Sequence, residues 1–584
     1  MTVQETLNLG VQYHQAGKLG EAEAAYRQIL AVNPQQPDAL NLLGALAGQV
    51  GKYEQAMDLI RRASTIEPNR AEFHANMGIV HAAQGQRAQA AQCFLRAVHL
   101  EPRRGEYYFR LGSVHLEMGN YDNSLACFEL AASLDNGQPA AHNAMGITHR
   151  YKGNLDAAIG WYGQALALQP EFAEAANNLA EALIAKGESG RAIEAARHAL
   201  KVKPDFTQAL NNLGNALRLA GRPDEAVATY QKVAKLDPKL AQTYQNMGNA
   251  YSEMGDFARA EGMHRRAIEI TPDYVDAHLS LGVIHLRRGE LERGWGLFDW
   301  RLKLPGMGLR AGLPGTVWTG GEFGGKRILL VAEQGLGDTI QFVRYAAMVA
   351  QRGATVILSC AKELAGLLRG AEGVSDVVAS DGALPAADAH CALLSLPGIF
   401  RTGMNNIPAK LSYLSADPAL KEKWAARIPA GSNLPRVGLV WAGGGRHPAN
   451  RERSFDLWGL GALAKAREGA KFFSLQVAET SFQAIAPPKG MDLTDLGKEV
   501  TDFSDTAAII ANLDLVITAD TAVAHLAGAL GKPVWVLLPF VADWRWFTDR
   551  DDSPWYPTMR LFRQEKAGDW EAPVRKAAEA LGGF

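Results

Sequence analysis

The chain has 584 residues, 47% of them hydrophobic and 21% charged, with a formal net charge of −2. Its length implies roughly two to four domains rather than one core. So small a net charge gives no electrostatic reason to bind nucleic acid or an anionic membrane, and no run of about 18 apolar residues is present to span a bilayer. The first ten residues, MTVQETLNLG, lack a basic segment and do not read as a signal peptide. Four cysteines are too few for a disulfide framework. The expectation is a cytoplasmic protein.

From the start to about residue 300 the sequence repeats with a period of 34. The marks are Gly10, Gly44, Gly78, Gly112, Gly146, Ala180, Gly214, Gly248 and Gly282. A small residue comes after each, as at Ala22, Ala56 and Ala90, and a proline closes most units, as at Pro34, Pro68 and Pro102, with Asn136 as a substitute. Small residues at fixed helical positions let paired helices approach closely, and proline ends the second helix of each pair. The pattern resembles the tetratricopeptide repeat, with eight complete units and a modified ninth. In the ninth, LERGWGLFDWRL carries Trp295, Phe298 and Trp300, which predicts a capping helix docked on the next domain. Two residues before the marks stand Asn76, Asn178, Asn212 and Asn246, and also Asn8. Amides both donate and accept, so such a series suits an extended peptide backbone; equally, each satisfies neighbouring helix ends. It resembles the asparagine ladder of eukaryotic O-GlcNAc transferase, which implies a protein-binding groove. Arg110 interrupts it with a charge.

Glycine and proline then dominate from Leu302 to Gly325, a boundary segment. The expected organisation is a repeat array over 1–304, a linker over 305–325, a first lobe over 326–416 and a second over 417–584. Beyond the linker, apolar runs at Arg327–Val331, Thr355–Ser359 and Asp376–Ala379 alternate with helical stretches at Thr339–Ala350 and Lys362–Leu368. After a second break near Ala416–Pro435 the runs are Val437–Trp441, Phe472–Leu475, Leu513–Thr518 and Val534–Leu538, with helices at Leu457–Arg467, Thr506–Ala511 and Ala522–Leu530. Alternation of this kind predicts two parallel sheets wrapped by helices, with a ligand cleft at the carboxyl ends of their strands.

Two strand-to-helix turns carry the candidate chemistry. In ILLVAEQGLGDT, the strand runs into Gly335, Leu336, Gly337 and Asp338. Asp338 reads as a helix N-cap or as a base aimed at a substrate hydroxyl, since an acid there repels phosphate. In LDLVITADTAVAHLAGALGKPVWVLL, a strand ends at Asp520 and Thr521, where a helix N-terminus suits an anionic diphosphate.

From Trp318 to Trp570 the chain resembles the heptosyltransferase-like (family 9) glycosyltransferases of the GT-B fold. The resemblance rests on AEQGLGDTIQFVRYA, LLSLP, VGLVWAG, the segment Arg451–Ser454, FFSLQ, DTAVAHLAGALGKPV, DWRW and SPWYP. It implies inverting, metal-independent sugar transfer, with a nucleotide sugar as co-substrate and no further cofactor. Asp338 then matches the catalytic base beside the acceptor-side glycines Gly335 and Gly337. Asp520, Thr521 and the amides of Ala522 and Val523 match the diphosphate turn, with His525 near the ribose or sugar. Arg446, Arg451 and Arg453 are the cations near the leaving group, and which one acts stays open. Gln476 and Trp544 or Trp546 are candidates to contact the base. The acidic run Asp549–Asp552 reads as a solvated loop rather than a metal site. Bacterial flagellin O-glycosyltransferases share this domain order, which implies a flagellin-like protein acceptor modified on serine or threonine. The alternatives are a glycan- or lipopolysaccharide-directed transferase, or a non-catalytic scaffold.

Overall fold

A computed structural model describes residues 1–135, 138–429, 434–444, 450–477 and 479–584, without the side chains of 450, 451 and 479. Asn136 and Arg446, and the side chain of Arg451, lie outside that description. By their contacts the described residues form two compact units, Met1–Pro238 and Lys239–Phe584.

The first unit is a run of antiparallel helix pairs, beginning with Val3–Gln15 against Leu19–Val32 and ending with Thr207–Leu219 against Pro223–Leu236. Most marks sit where a ring from the partner helix comes against the backbone; at Gly44 the neighbour is Ile60 instead. A Cβ at Gly78 would stand 2.8–3.0 Å from three ring atoms of Phe94, and one at Gly112 2.9 Å from Phe128. Sixteen residues separate mark and ring, as at Gly10 and Tyr26 or Gly146 and Tyr162, and the same spacing brings Ile60 against Gly44. Where the mark is Ala180 the ring position holds Ala196, so the added methyl is balanced by a lost ring. Gly78→Ala is therefore expected to destabilise the first unit. The helix-propensity gain of about 1 kcal/mol is smaller than the 1–3 kcal/mol typical of overpacking. A lower thermal midpoint checks it; an unchanged or higher one overturns the packing account.

The asparagines pair with one another. Asn76 Nδ2 donates to Asn41 Oδ1 (2.9 Å), Asn178 Nδ2 to Asn143 Oδ1 (3.0 Å) and Asn212 Nδ2 to Asn177 Oδ1 (2.9 Å). Each bond joins one repeat to the preceding one, so part of the amide capacity expected for a peptide is used within the array. Arg110 is ion-paired with Glu106 at 2.9 Å.

The second unit starts with four more helices, Ala241–Glu253, Phe257–Ile270, Val275–Arg287 and Leu291–Phe298. Asn246 belongs here, and its Nδ2 is buried with no partner among the described residues. The unit begins well ahead of the boundary expected at 304 because its final repeat is built into the α/β lobes. Trp295 Nε1 donates to the Thr402 carbonyl (2.8 Å), and its ring meets Trp544 edge-on at 5.5 Å. Trp300 stacks on His278 instead.

The lobes contain eleven strands among the described residues: β1 (Thr316–Val317), β2 (Arg327–Val331), β3 (Thr355–Cys360), β4 (Val374–Ala379), β5 (Ala389–Ala392), β6 (Arg436–Val440), β7 (Lys471–Ser474), β8 (Asp492–Asp495), β9 (Leu515–Ala519), β10 (Val534–Leu538) and β11 (Met559–Arg563). They form two all-parallel sheets, β1-β5-β2-β3-β4 and β8-β7-β6-β9-β10-β11. The second has the doubly wound order 3-2-1-4-5-6, whose direction reverses between β6 and β9. The central strands β9 and β10 are buried throughout, as the unbroken apolar runs require. The molecule is an all-α tetratricopeptide array followed by two Rossmann-like lobes, the GT-B class.

The helix expected over Thr339–Ala350 is broken. It runs Leu336–Phe342, tightens to a 3₁₀ turn at Val343–Tyr345, and resumes at Ala346–Ala350. Buried Arg344 sits at the break, donating to the Trp555 carbonyl (2.7 Å) and to Tyr413 Oη (2.9 Å). Those tertiary bonds outweigh a regular helical ladder.

Candidate active site

In open parallel sheets, ligands bind beyond the strand carboxyl ends where the winding reverses. In the second sheet that point lies between the exits of β6 and β9. Gln476 holds the β6 exit. Its Oε1 accepts the N–H groups of Trp441 (3.1 Å) and Ala442 (3.0 Å), and its Nε2 donates to the carbonyls of Ala442 and Val477, both at 3.0 Å. Both donors and both acceptor positions are used. Gln476 therefore shapes the turn rather than contacting a nucleobase, which corrects the expectation. Ser454 Oγ accepts the N–H of Gly443 (3.2 Å), and the neighbouring Arg453 brings positive charge to Asp520 and His525.

At the β9 exit, Thr521 takes the N-cap position of helix Ala522–Ala529, with φ −137° and ψ 171°, yet no side chain caps that helix. The Thr521 hydroxyl pairs with that of Thr518 at 3.1 Å instead. The amides of Ala522 and Val523 thus open a helix N-terminus carrying the positive end of its dipole. Asp520 precedes it and is buried; burial, with the Asp543 carboxylate nearby, pushes its carboxyl up to about 6. His525, on the first turn, stacks on Trp546 at 5.2 Å, and its Nδ1 pairs with Tyr556 Oη at 2.9 Å. Burial and the charge of Arg545 pull its pKa down to about 3, so the ring is neutral at ordinary pH. It supports the turn as an uncharged group.

The glycine turn of the first lobe lies directly against this helix. A Cβ at Gly337 would stand 2.7 Å from His525 Cδ2 and 3.4 Å from Ala522 Cα. Only glycine permits so close an approach. Before it, Gln334 holds φ 66°, a strained value for a side-chain-bearing residue. Asp338 is the third residue of helix Leu336–Phe342, so it is not the N-cap. Its Oδ2 accepts the N–H of Gly335, the residue that is, at 2.7 Å. Its Oδ1 is ion-paired with Arg545 Nη2, and the side chain keeps 17% exposure.

Arg545 was not singled out by sequence reasoning, although the tryptophans around it in DWRW mark a cation set among buried rings. It is 7% exposed. Trp544, expected beside a nucleobase, packs instead among Trp295, Phe298, Phe342 and Trp555 with centroids 5.5–6.4 Å apart. At 3% exposure it joins the last repeat to both lobes, because a ring that large fills the three-way junction. The site thus brings together Asp338, Gly337, Asp520, Thr521, Ala522 and His525, while the side chains of Gln476 and Trp544 are buried in contacts with the protein itself.

Tetratricopeptide-repeat models match residues 13–80, 76–139, 148–187, 173–206 and 205–273. The glycosyltransferase family 9 (heptosyltransferase) model matches residues 480–537, which include the Asp520–His525 turn. Protein FlbA of Caulobacter vibrioides is 29% identical over 300 residues, 47% of this chain and 49% of that protein. The chain therefore spans about half the length of the curated relative it matches. Among solved structures it is similar to the APC/C hetero-tetramer Cut9–Hcn1, at 18% identity and TM-score 0.36, covering 46% of this chain and 52% of that one. Yeast Tom70 gives 18% identity and TM-score 0.35, covering 46% and 61%. The chain is a tetratricopeptide-repeat protein carrying a glycosyltransferase family 9 domain.

Proposed function

We propose that the protein transfers a sugar from a nucleotide-sugar donor to a serine or threonine hydroxyl of a protein, with inversion and without a metal ion. The supporting observation is the contact between the Asp338 turn and the uncapped helix N-terminus at Ala522. A diphosphate seated on the amides of Ala522 and Val523 gains from the helix dipole. The acceptor hydroxyl passes its proton to Asp338 while its oxygen attacks the anomeric carbon. The bond from that carbon to the diphosphate oxygen breaks, and the electron pair leaves with the nucleoside diphosphate. Of the three arginines expected near the leaving group, Arg453 is the one whose side chain is described, and it is close enough to act on Asp520. The repeat array is the surface that recruits the acceptor, and a flagellin-like protein is the first one to try.

The test has two arms. Thermal shift against ADP, UDP, GDP and CMP identifies the donor class, since selective stabilisation follows from mass action. Nucleotide release is then measured with matching donors, with and without EDTA and with a flagellin-like acceptor. Release that requires the protein acceptor and ignores EDTA supports the proposal; no release with any donor rejects it. The asparagine pairs favour one other reading, a glycan acceptor, because amide capacity is spent between repeats. Release that responds to glycans and not to protein selects it.

Donor binding is also expected to depend on pH. Asp520 is faced by Asp543 and by the cations Arg453 and Arg545, and its carboxyl is neutral below about 6. A diphosphate nearby is repelled once Asp520 ionises. Nucleoside-diphosphate affinity should therefore be highest below pH 6 and fall as pH rises through that value. Calorimetry between pH 5 and 8 checks this, and Asp520→Asn should flatten the profile.

A further inference from the structure

Arg545 joins the two lobes at the base itself. From the second lobe it donates through Nη1 to Asp543 of its own turn (2.7 Å). Across to the first lobe it donates through Nε to Gln341 Oε1 (2.9 Å) and through Nη2 to Asp338. Its planar group lies over the Trp544 ring at 4.4 Å, so all three directions of the fork and one face are occupied. Asp338 in turn has one oxygen fixed by the Gly335 amide and the other by Arg545.

The backbone on both sides of this ion pair is held in unusual conformations. Gln334, four residues before Asp338, has φ 66°, and Phe547, two residues after Arg545, has φ 56° with ψ −170°. Phe547 is buried, and a bulky side chain rarely occupies that region. Strain of this kind persists only where surrounding contacts over-determine it, and it concentrates at functional sites. Here it brackets the pair that links the lobes.

Resting on the assignment of Asp338 as the base, we propose that Arg545 is its positioning residue, holding the carboxylate aimed from the opposite lobe so that the base is complete only while the two turns are in contact. Arg545 itself takes no proton from the acceptor. That proton goes to Asp338, and the charge formed on the donor goes to the nucleoside diphosphate.

The test uses the full chain with the donor found by thermal shift. Arg545→Gln is expected to lower kcat about 100-fold while the donor KM and nucleoside-diphosphate Kd change less than about threefold, the signature of a group acting on the transition state alone. Arg545→Lys keeps the charge without the fork and is expected to recover about tenfold of that loss. Because Arg545 acts through Asp338, adding Arg545→Gln to Asp338→Asn is expected to change kcat by less than about twofold. Additive losses in that double variant would overturn the proposal. So would a donor KM and Kd that rise together with kcat intact, which makes Arg545 a diphosphate ligand. If Arg545→Gln does not fold, the Arg545→Lys pair with Asp338→Asn carries the same comparison. Full activity in Asp338→Asn defeats the base assignment itself, a result distinct from either outcome for Arg545.

Discussion

Asp338→Asn is expected to lower sugar transfer by about 10²- to 10⁴-fold, the range over which a positioned general base contributes. The substitution keeps the shape of the side chain and an oxygen for the Gly335 amide, so helix Leu336–Phe342 keeps its first turn. What it removes is the negative charge proposed to accept the hydroxyl proton. Nucleoside-diphosphate affinity should stay within about threefold, because the amides that suit the diphosphate belong to helix Ala522–Ala529 of the other lobe. Steady-state kinetics with a thermal-shift titration separates the two effects. An Asn variant with wild-type kcat and donor KM would mean that Asp338 serves only the helix end and the Arg545 pair.

The repeats were legible because their packing is local. A glycine and the ring sixteen residues later meet within one helix pair, so the contact is written at short range and recurs in register. The central strands were legible for a related reason: β2, β6, β9 and β10 are buried on both faces and read as unbroken apolar runs. The short strand β5 (AHCA) and the polar edge strand β8 (DLTD) carry no such run. The second edge, β11, sets two arginines among three apolar residues and gave too weak a signal in five positions. Site residues divide in the same way. The two turns were found from strand–glycine–helix and strand–hydroxyl–helix patterns, which are local. The partner of Asp338 lies 207 residues away, and no periodicity predicts it. Gln476 and Trp544 were misread for the converse reason. An amide after a strand and a tryptophan after a turn look alike in sequence whether they face a ligand or lock a backbone; only the four bonds of Gln476 and the ring neighbours of Trp544 decide.

Arg301→Leu is the second large effect, and its sign with pH is fixed by Glu333. Arg301 has no exposed surface and donates to Glu333 Oε1 and Asp299 Oδ1, both at 2.5 Å, and to Ser395 Oγ at 3.0 Å. Glu333, the glutamate of AEQGLGDT, is 7% exposed and also accepts the amides of Leu393 (3.1 Å) and Leu394 (3.3 Å). Removing the cation leaves a buried carboxylate uncompensated, a loss of about 3–5 kcal/mol. Burial already holds the Glu333 carboxyl above its ordinary range despite Arg301. A carboxyl raised on folding contributes stability that is full below its unfolded pKa and is lost as pH rises through its folded value. Without Arg301 the folded value climbs further, so the variant should lose most at pH 8 and least near pH 5. Across the window in which Glu333 is protonated only when folded, the slope is about 1.4 kcal/mol per pH unit. Denaturant melts of variant and wild type at both pH values check this, and Arg301→Leu with Glu333→Gln should regain part of the loss at pH 8. An equal loss at both pH values would assign the effect to packing over Phe298 alone. The pH-dependent result would mean that Glu333, five residues before Asp338, ties the base turn to the tail of the last repeat, so that displacing that repeat loosens the turn.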